Sequence, residues 1–235
     1  MRVAVFFTPP PEHPLTRAAA LWLGRDAFSG ETFPPSADSG VPADEIAALT
    51  AEPRRYGFHA TLKPPFRLAD GCRLEDLDAA LETTAASLSR VDLGRLAIAE
   101  IGSFFAMTPA TESNAIGEIA GEIVRRFDRF REPPTDDEIA RRRPERLSPR
   151  QRDYLTRWGY PYVFDDFRFH MTLTGPVSER RRAAVRRILE DRFRPLVAPV
   201  VVESLALFVE LSPLGDFIVR KRVAMRHARP PVGAA

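Results

Sequence analysis

Phe58-His59-Ala60-Thr61-Leu62 and Phe169-His170-Met171-Thr172-Leu173 repeat one pattern, Phe-His-x-Thr-Leu, in opposite halves of a 235-residue chain. Alternation with a period of two is that of a half-buried strand, so Phe, Ala or Met, and Leu share one face while His and Thr share the other. The polar face is expected to continue to Lys63 in the first strand and to Arg168 and Thr174 in the second. Each strand then presents an imidazole, a hydroxyl and a nearby cation on one surface. A single strand histidine is more often structural than catalytic. Here two of only four histidines carry the full pattern. His13 and His227 lack it, sit beside proline or in the tail, and are read as structural or solvent-exposed.

The segments flanking the motifs repeat as well. Strand Tyr56 to Lys63, ended by Pro64-Pro65, precedes a helix at Leu74 to Leu88 and two strands, Leu93 to Ile101 and Phe104 to Thr108. Strand Phe167 to Thr174 precedes a helix from Ser178 to about Phe193 and two long strands, Val197 to Glu210 and Phe217 to Met225, joined through Ser212-Pro213-Leu214-Gly215. The match is an internal repeat of supersecondary structure with little sequence identity. A strand at Val3 to Phe7, a helix from Leu15 to about Phe28, a connection over 29 to 53 with a short helix at Ala43 to Leu49, and a helix from Glu112 to Phe130 complete the map. Residues 131 to 161 turn to Arg, Pro and acids and read as an inserted, exposed, largely helical excursion. The tail after His227 is expected to fray.

Hydrophobic residues make up 44% of the chain, enough for one ordinary domain or two small lobes. The 34 basic and 32 acidic residues nearly cancel to a formal charge of +2, which is not the profile of a nucleic-acid coat. Lysine occurs only at Lys63 and Lys221, so the basic side chains are almost all arginine, a bias that a GC-rich genome also produces. One cysteine, Cys72, excludes an intramolecular disulfide framework and a cysteine-based zinc site. No apolar run approaches the roughly 18 residues of a membrane span, and the N-terminal apolar stretch is too short for a signal peptide. A cytoplasmic, monomeric protein with no membrane partner is expected.

Breaking a phosphodiester near neutral pH needs one group to take a proton from the attacking oxygen and another to give one to the departing oxygen. Imidazole has its ordinary pKa in that range, so two histidines can divide the work without metal or cofactor. Threonine hydroxyls can donate to the non-bridging oxygens that carry the charge.

Paired His-x-Thr elements of this kind resemble the two-histidine (2H) phosphoesterase superfamily. The longer segment Arg55-Tyr-Gly-Phe-His-Ala-Thr-Leu-Lys-Pro-Pro-Phe66 is similar to its branch of phosphonate-metabolism proteins. The resemblance covers Val3 to about Met225. It implies an α+β fold over residues 1 to 235: two pseudo-symmetric lobes, each an antiparallel sheet with flanking helices, around a central cleft, with 131 to 161 inserted. It also implies metal-independent hydrolysis or transesterification of a small cyclic phosphodiester, with His59 and His170 as the catalytic pair and Thr61 and Thr172 on the phosphate. Which histidine is acid and which is base does not follow from sequence. Tyr56, Lys63, Arg168 and Thr174 are added as candidate substrate contacts from the strand pattern alone.

Rival readings stay open at this point. The same site could serve RNA as a 2′,3′-cyclic or 2′–5′ phosphodiesterase or ligase, or bind nucleotides or RNA without turnover. His59, His170, Asp165 and Asp166 could hold a metal, although nothing fixes the carboxylates toward the histidines. Cys72 has no partner pattern for a nucleophile. The cluster Arg141, Arg142, Arg143, Arg146, Arg150 and Arg152 reads as a solvated helix face, or as a lid or RNA contact with Tyr154, Trp158 and Tyr160 for stacking.

Overall fold

A computed structural model describes residues 1–35, 41–111, 113–196 and 198–226. Within them β1 (Arg2–Phe7), α1 (Pro14–Leu23), α2 (Ala43–Arg54), β2 (Ala60–Phe66), α3 (Leu74–Ser87), β3 (Val91–Ile101), β4 (Phe104–Pro109) and α4 (Asn114–Phe127) form the first half. The excursion carries α5 (Asp136–Ala140) and α6 (Pro149–Trp158), followed by β5 (Met171–Thr172), α7 (Glu179–Phe193), β6 (Pro199–Val202), β7 (Ser204–Glu210) and β8 (Phe217–Ala224). The fold is α+β, and its strands form an antiparallel sheet in the order β6-β3-β4-β5-β2-β1-β7-β8. Four strands come from each lobe, and the lobes meet at β2 and β5, the two motif strands. The hairpin that follows each motif in sequence therefore serves the other motif's side: β4 pairs with β5, and β7 reaches β2 through β1.

Glu203 alone separates β6 from β7, although these strands stand near opposite ends of the order. The sheet must curl for its ends to approach, and Ser89 bridges Arg226 where β3 and β8 come together. The expected single strand from Val197 to Glu210 is thus two, broken at the residue where the chain passes from one lobe to the other; Val197 itself lies outside the described residues.

Alternation sorts each strand between two cores. Val3, Val5 and Phe7, with Leu205, Leu207 and Val209, enter the large core beneath the helices; Ala4, Phe6, Ala206 and Phe208 enter a smaller one with Phe217 and Ala27. On the helix side α3 packs on β7 and β8, α4 on β2, and α7 on β3. Several boundaries differ from the sequence expectation for local reasons. Helix α1 stops at Leu23, not Phe28, because Gly24 takes a left-handed φ of 80° and caps it. Helix α2 runs to Arg54, and Glu112, where α4 was expected to begin, lies outside the described residues. Strand β2 continues through Pro64 and Pro65 to Phe66. It can do so because β5 is only two residues long, so no ladder on that side needs the missing N–H groups. His13 caps α1, its Nδ1 accepting from Leu15 N, in line with a structural role; His227 and the tail lie outside the described residues.

Candidate active site

Ala60 of β2 pairs with Met171 of β5, and both side chains enter the large core. Antiparallel alternation then sets Thr172 across from His59 and His170 across from Thr61 on the opposite face. The two motifs form a compact diamond with local two-fold symmetry, histidine beside threonine in each row. Ala106 pairs with Thr172, and Ala99 pairs with Ala106, so small side chains continue the first row.

Each imidazole is oriented by the same device. His59 Nδ1 lies 2.9 Å from Gly57 O, and His170 Nδ1 lies 2.8 Å from Arg168 O. A carbonyl can only accept, so Nδ1 carries the proton and each neutral ring is left with an unprotonated Nε2 that can accept one. Thr61 Oγ1 stands 3.3 Å from His59 Nε2, so its hydroxyl donates there. Gly57 sits at φ 71°, and a Cβ on it would stand 2.5 Å from Ala27 Cβ. Only glycine can make this turn and aim its carbonyl at His59.

The two histidines differ in surroundings. The His59 ring lies 4.0 Å from Phe6, 5.7 Å from Tyr56 and 6.2 Å from Phe208, centroid to centroid. Burial in this aromatic box, opposed by the bond to Gly57 O and aided by His170, pushes its pKa down to about 4. His170 has Phe104 at 5.9 Å. Its pKa is also lowered, first by burial and then by the Arg168 guanidinium. Both rings therefore favour the neutral form at pH 7.

Of the added candidates, Tyr56 stacks on His59, and Arg168 precedes His170 on the chain. Lys63 and Thr174 do not join them. The register of β1 against β2 shifts between Val5 and Phe6, pairing Lys63 with Val5, a residue of the helix-side core. This bulge turns Lys63 away from Thr61 and under α4, where Nζ donates to Asp128 Oδ1 at 3.0 Å and Val124 O at 3.3 Å. Thr174 is fully buried, and its Oγ1 accepts from Phe105 N. Asp166 accepts from Arg150 and Gln151, and Asp165 from Tyr154, so both carboxylates face α6. Among the described residues no group of three His, Cys, Asp or Glu is placed to hold a metal. Tyr154 and Trp158 meet Phe164, just past the excursion, edge-on at 5.4 and 5.2 Å and are engaged there. No helix among the described residues is long and apolar enough to cross a membrane.

Phe6, Phe208 and the Gly57 carbonyl escaped the sequence analysis. Phe6 carried a faint signal, a large aromatic on the face of β1 opposite Val3, Val5 and Phe7. A groove of about 1120 Å³ along α4 is lined by Thr108, Arg168 and Phe169 but by none of His59, Thr61, His170 and Thr172.

A family model described as "Protein of unknown function (DUF1045)" matches residues 61–218. Two curated relatives are both called "Ribose 1,5-bisphosphate phosphokinase PhnN". The protein from Janthinobacterium sp. (strain Marseille) is 35% identical over 94% of this chain and 50% of its own length. The one from Laribacter hongkongensis (strain HLHK9) is 36% identical over 89% of this chain and 48% of its own length. The chain thus spans about half the length of the curated relatives it matches. The solved structure of TT0787 of Thermus thermophilus aligns over 97% of this chain and all of its own, with 15% identity and a TM-score of 0.46.

Proposed function

Because the chain belongs to the DUF1045 family, whose description names no reaction, we propose from the site itself that it is a metal-independent phosphoesterase acting on a small cyclic phosphodiester. The observation that carries this is the diamond of His59, Thr172, Thr61 and His170, with each Nδ1 proton held by a backbone carbonyl and each Nε2 left unprotonated. One Nε2 takes the proton of an attacking water while the other, protonated, delivers a proton to the leaving oxygen of the ring-opened ester. The threonine hydroxyls donate to the non-bridging oxygens. A bound phosphate anion favours the imidazolium form, which offsets the burial that keeps both rings neutral at rest.

The resemblance to two-histidine phosphoesterases supports this chemistry. The name of the curated relatives supports a sugar phosphate and a place in phosphonate degradation. A protein of double length named for a kinase of ribose 1,5-bisphosphate gains from a second activity that supplies that compound, and opening a ribose 1,2-cyclic phosphate bearing a 5-phosphate at O2 yields it. RNA is the less favoured substrate, because the near-neutral charge balance lacks the excess of cations a long groove would need.

The test is turnover in EDTA of nucleoside 2′,3′-cyclic phosphates, ribose cyclic phosphates and a 2′–5′ linked dinucleotide. Hydrolysis of a cyclic substrate that survives chelation is expected; activity only with added metal would overturn the metal-free mechanism. Binding of nucleotide with no turnover would favour a binding module.

The pH dependence has a definite sign. Since kcat/KM reports the free protein, and both histidines titrate below the ordinary 6.5, the bell should have its acid limb near 4 and its alkaline limb below 6.5. An alkaline limb above pH 7 would contradict the burial of His170.

A further inference from the structure

Three arginines that the proposed reaction does not use converge beside the first motif. Glu210, 1% exposed, pairs with Arg2 across β1 and β7 and accepts from Arg2 Nη2 at 2.7 Å and Arg55 Nη2 at 2.9 Å. Two guanidinium groups share this one carboxylate, Glu138 adds a second negative charge near Arg2, and Arg55 Nε is buried without a hydrogen-bond partner. The cations rest on an aromatic floor that leads to the catalytic ring. Arg2 lies over Phe217 at 5.5 Å and Arg55 over Tyr56 at 5.7 Å. Tyr56 in turn stacks on Phe217 at 5.0 Å and on His59 at 5.7 Å.

The third arginine arrives from the excursion. Phe66 pairs with Val3, so Arg67 is the neighbour of Arg2, and Arg67 Nη1 holds Glu138 of α5 at 3.3 Å. Four residues on, Arg142 lies over the Tyr160 ring at 4.8 Å and has no carboxylate partner among the described residues. Burial holds the Tyr160 hydroxyl neutral, with Arg142 opposing it and the Tyr162 and Tyr56 phenols adding to it.

We infer that Arg55, Arg2 and Arg142, with Tyr56 as floor, form a second anion subsite that takes a terminal phosphomonoester of the substrate whose cyclic diester lies between His59 and His170. The inference rests on the phosphoesterase reading and names its substrate class: a compact sugar carrying both groups. One ring separates the two places: Arg55 lies 5.7 Å from the Tyr56 centroid, and the His59 centroid lies 5.7 Å from it on the chain of ring contacts. A monoester carries close to two charges near neutrality, whereas an internal RNA phosphate carries one, so a guanidinium cluster of this kind favours the monoester.

The test separates the subsite from the catalysis. Ribose 5-phosphate, which has only the monoester, is titrated calorimetrically into the His59→Ala/His170→Ala protein and into the same protein with Arg142→Ala. Arg142 is exposed, so its replacement leaves the fold intact, and Arg142→Lys should restore part of the loss. The expected result is at least a tenfold weaker affinity without Arg142; equal affinities overturn the subsite. In wild type, kcat/KM for ribose 1,2-cyclic phosphate 5-phosphate should exceed that for the compound lacking the 5-phosphate at least tenfold, and the ratio should collapse in Arg142→Ala. Turnover of both compounds without preference removes the subsite and keeps the phosphoesterase. Arg142-dependent binding with no turnover of either removes the phosphoesterase and keeps the subsite.

Discussion

His59→Ala and His170→Ala should each lower kcat on the cyclic substrate by about 10²–10⁴, the usual contribution of a positioned proton-transfer group. The double variant should be little slower than the worse single one. Acid and base act in one concerted event, so the second loss removes nothing the first has left working. Additive losses would mean that the rings serve separate steps. The variants differ structurally. His59 fills the box of Phe6, Tyr56 and Phe208, so its truncation also opens a cavity, and His59→Gln is the companion that keeps the volume. His170, with Phe104 its one described ring neighbour, should lose activity with little change in melting temperature. Retention of more than a tenth of the activity in both folded variants would sink the two-histidine mechanism.

The parts of this site legible in sequence are those set by alternation. Phe-His-x-Thr-Leu fixes which side chains share a face, and the duplicated order of strand, helix and two strands places one motif on each lobe. Alternation could not show that the lobes join through the motif strands, since pairing across β2 and β5 is set by tertiary register. It also failed two residues past Thr61. A bulge reverses the face, and Lys63, a cation beside the hydroxyl on paper, lies beneath α4. Thr174 failed differently: β5 ends at Thr172, and the chain bends so that the next hydroxyl satisfies a backbone N–H. The aromatic box around His59 comes from β1, β7 and the turn before β2, and no local pattern links those segments. The 2-residue β5, against an expected strand from Phe167 to Thr174, shows the same limit, because ladder length depends on neighbours that sequence periodicity does not describe.

Asp128→Ala should destabilise the protein by about 3 kcal/mol, while Lys63→Met should cost no more than about 1 kcal/mol and leave kcat unchanged. Lys63 is 1% exposed, and burial lowers its pKa to about 8, chiefly against the attraction of Asp128. Without Asp128 the ammonium keeps Val124 O and faces Arg131, an unpaired charge in the interior next to a like one. Without Lys63, Asp128 still accepts from Arg131 Nε at 2.8 Å and remains partly exposed, so nothing charged is stranded. Lys63→Met should therefore rescue much of the Asp128→Ala loss in the double variant, a coupling that urea denaturation resolves. The same burial sets a pH dependence. A lysine whose folded pKa lies below its unfolded 10.5 binds fewer protons folded than unfolded between about 8 and 10.5, so its contribution to stability rises across that window, by up to about 3 kcal/mol. Lys63→Met should flatten that rise. Should Lys63→Met instead abolish turnover while remaining stable, the ammonium would belong to the site after all, and the bulge would have to open on binding substrate.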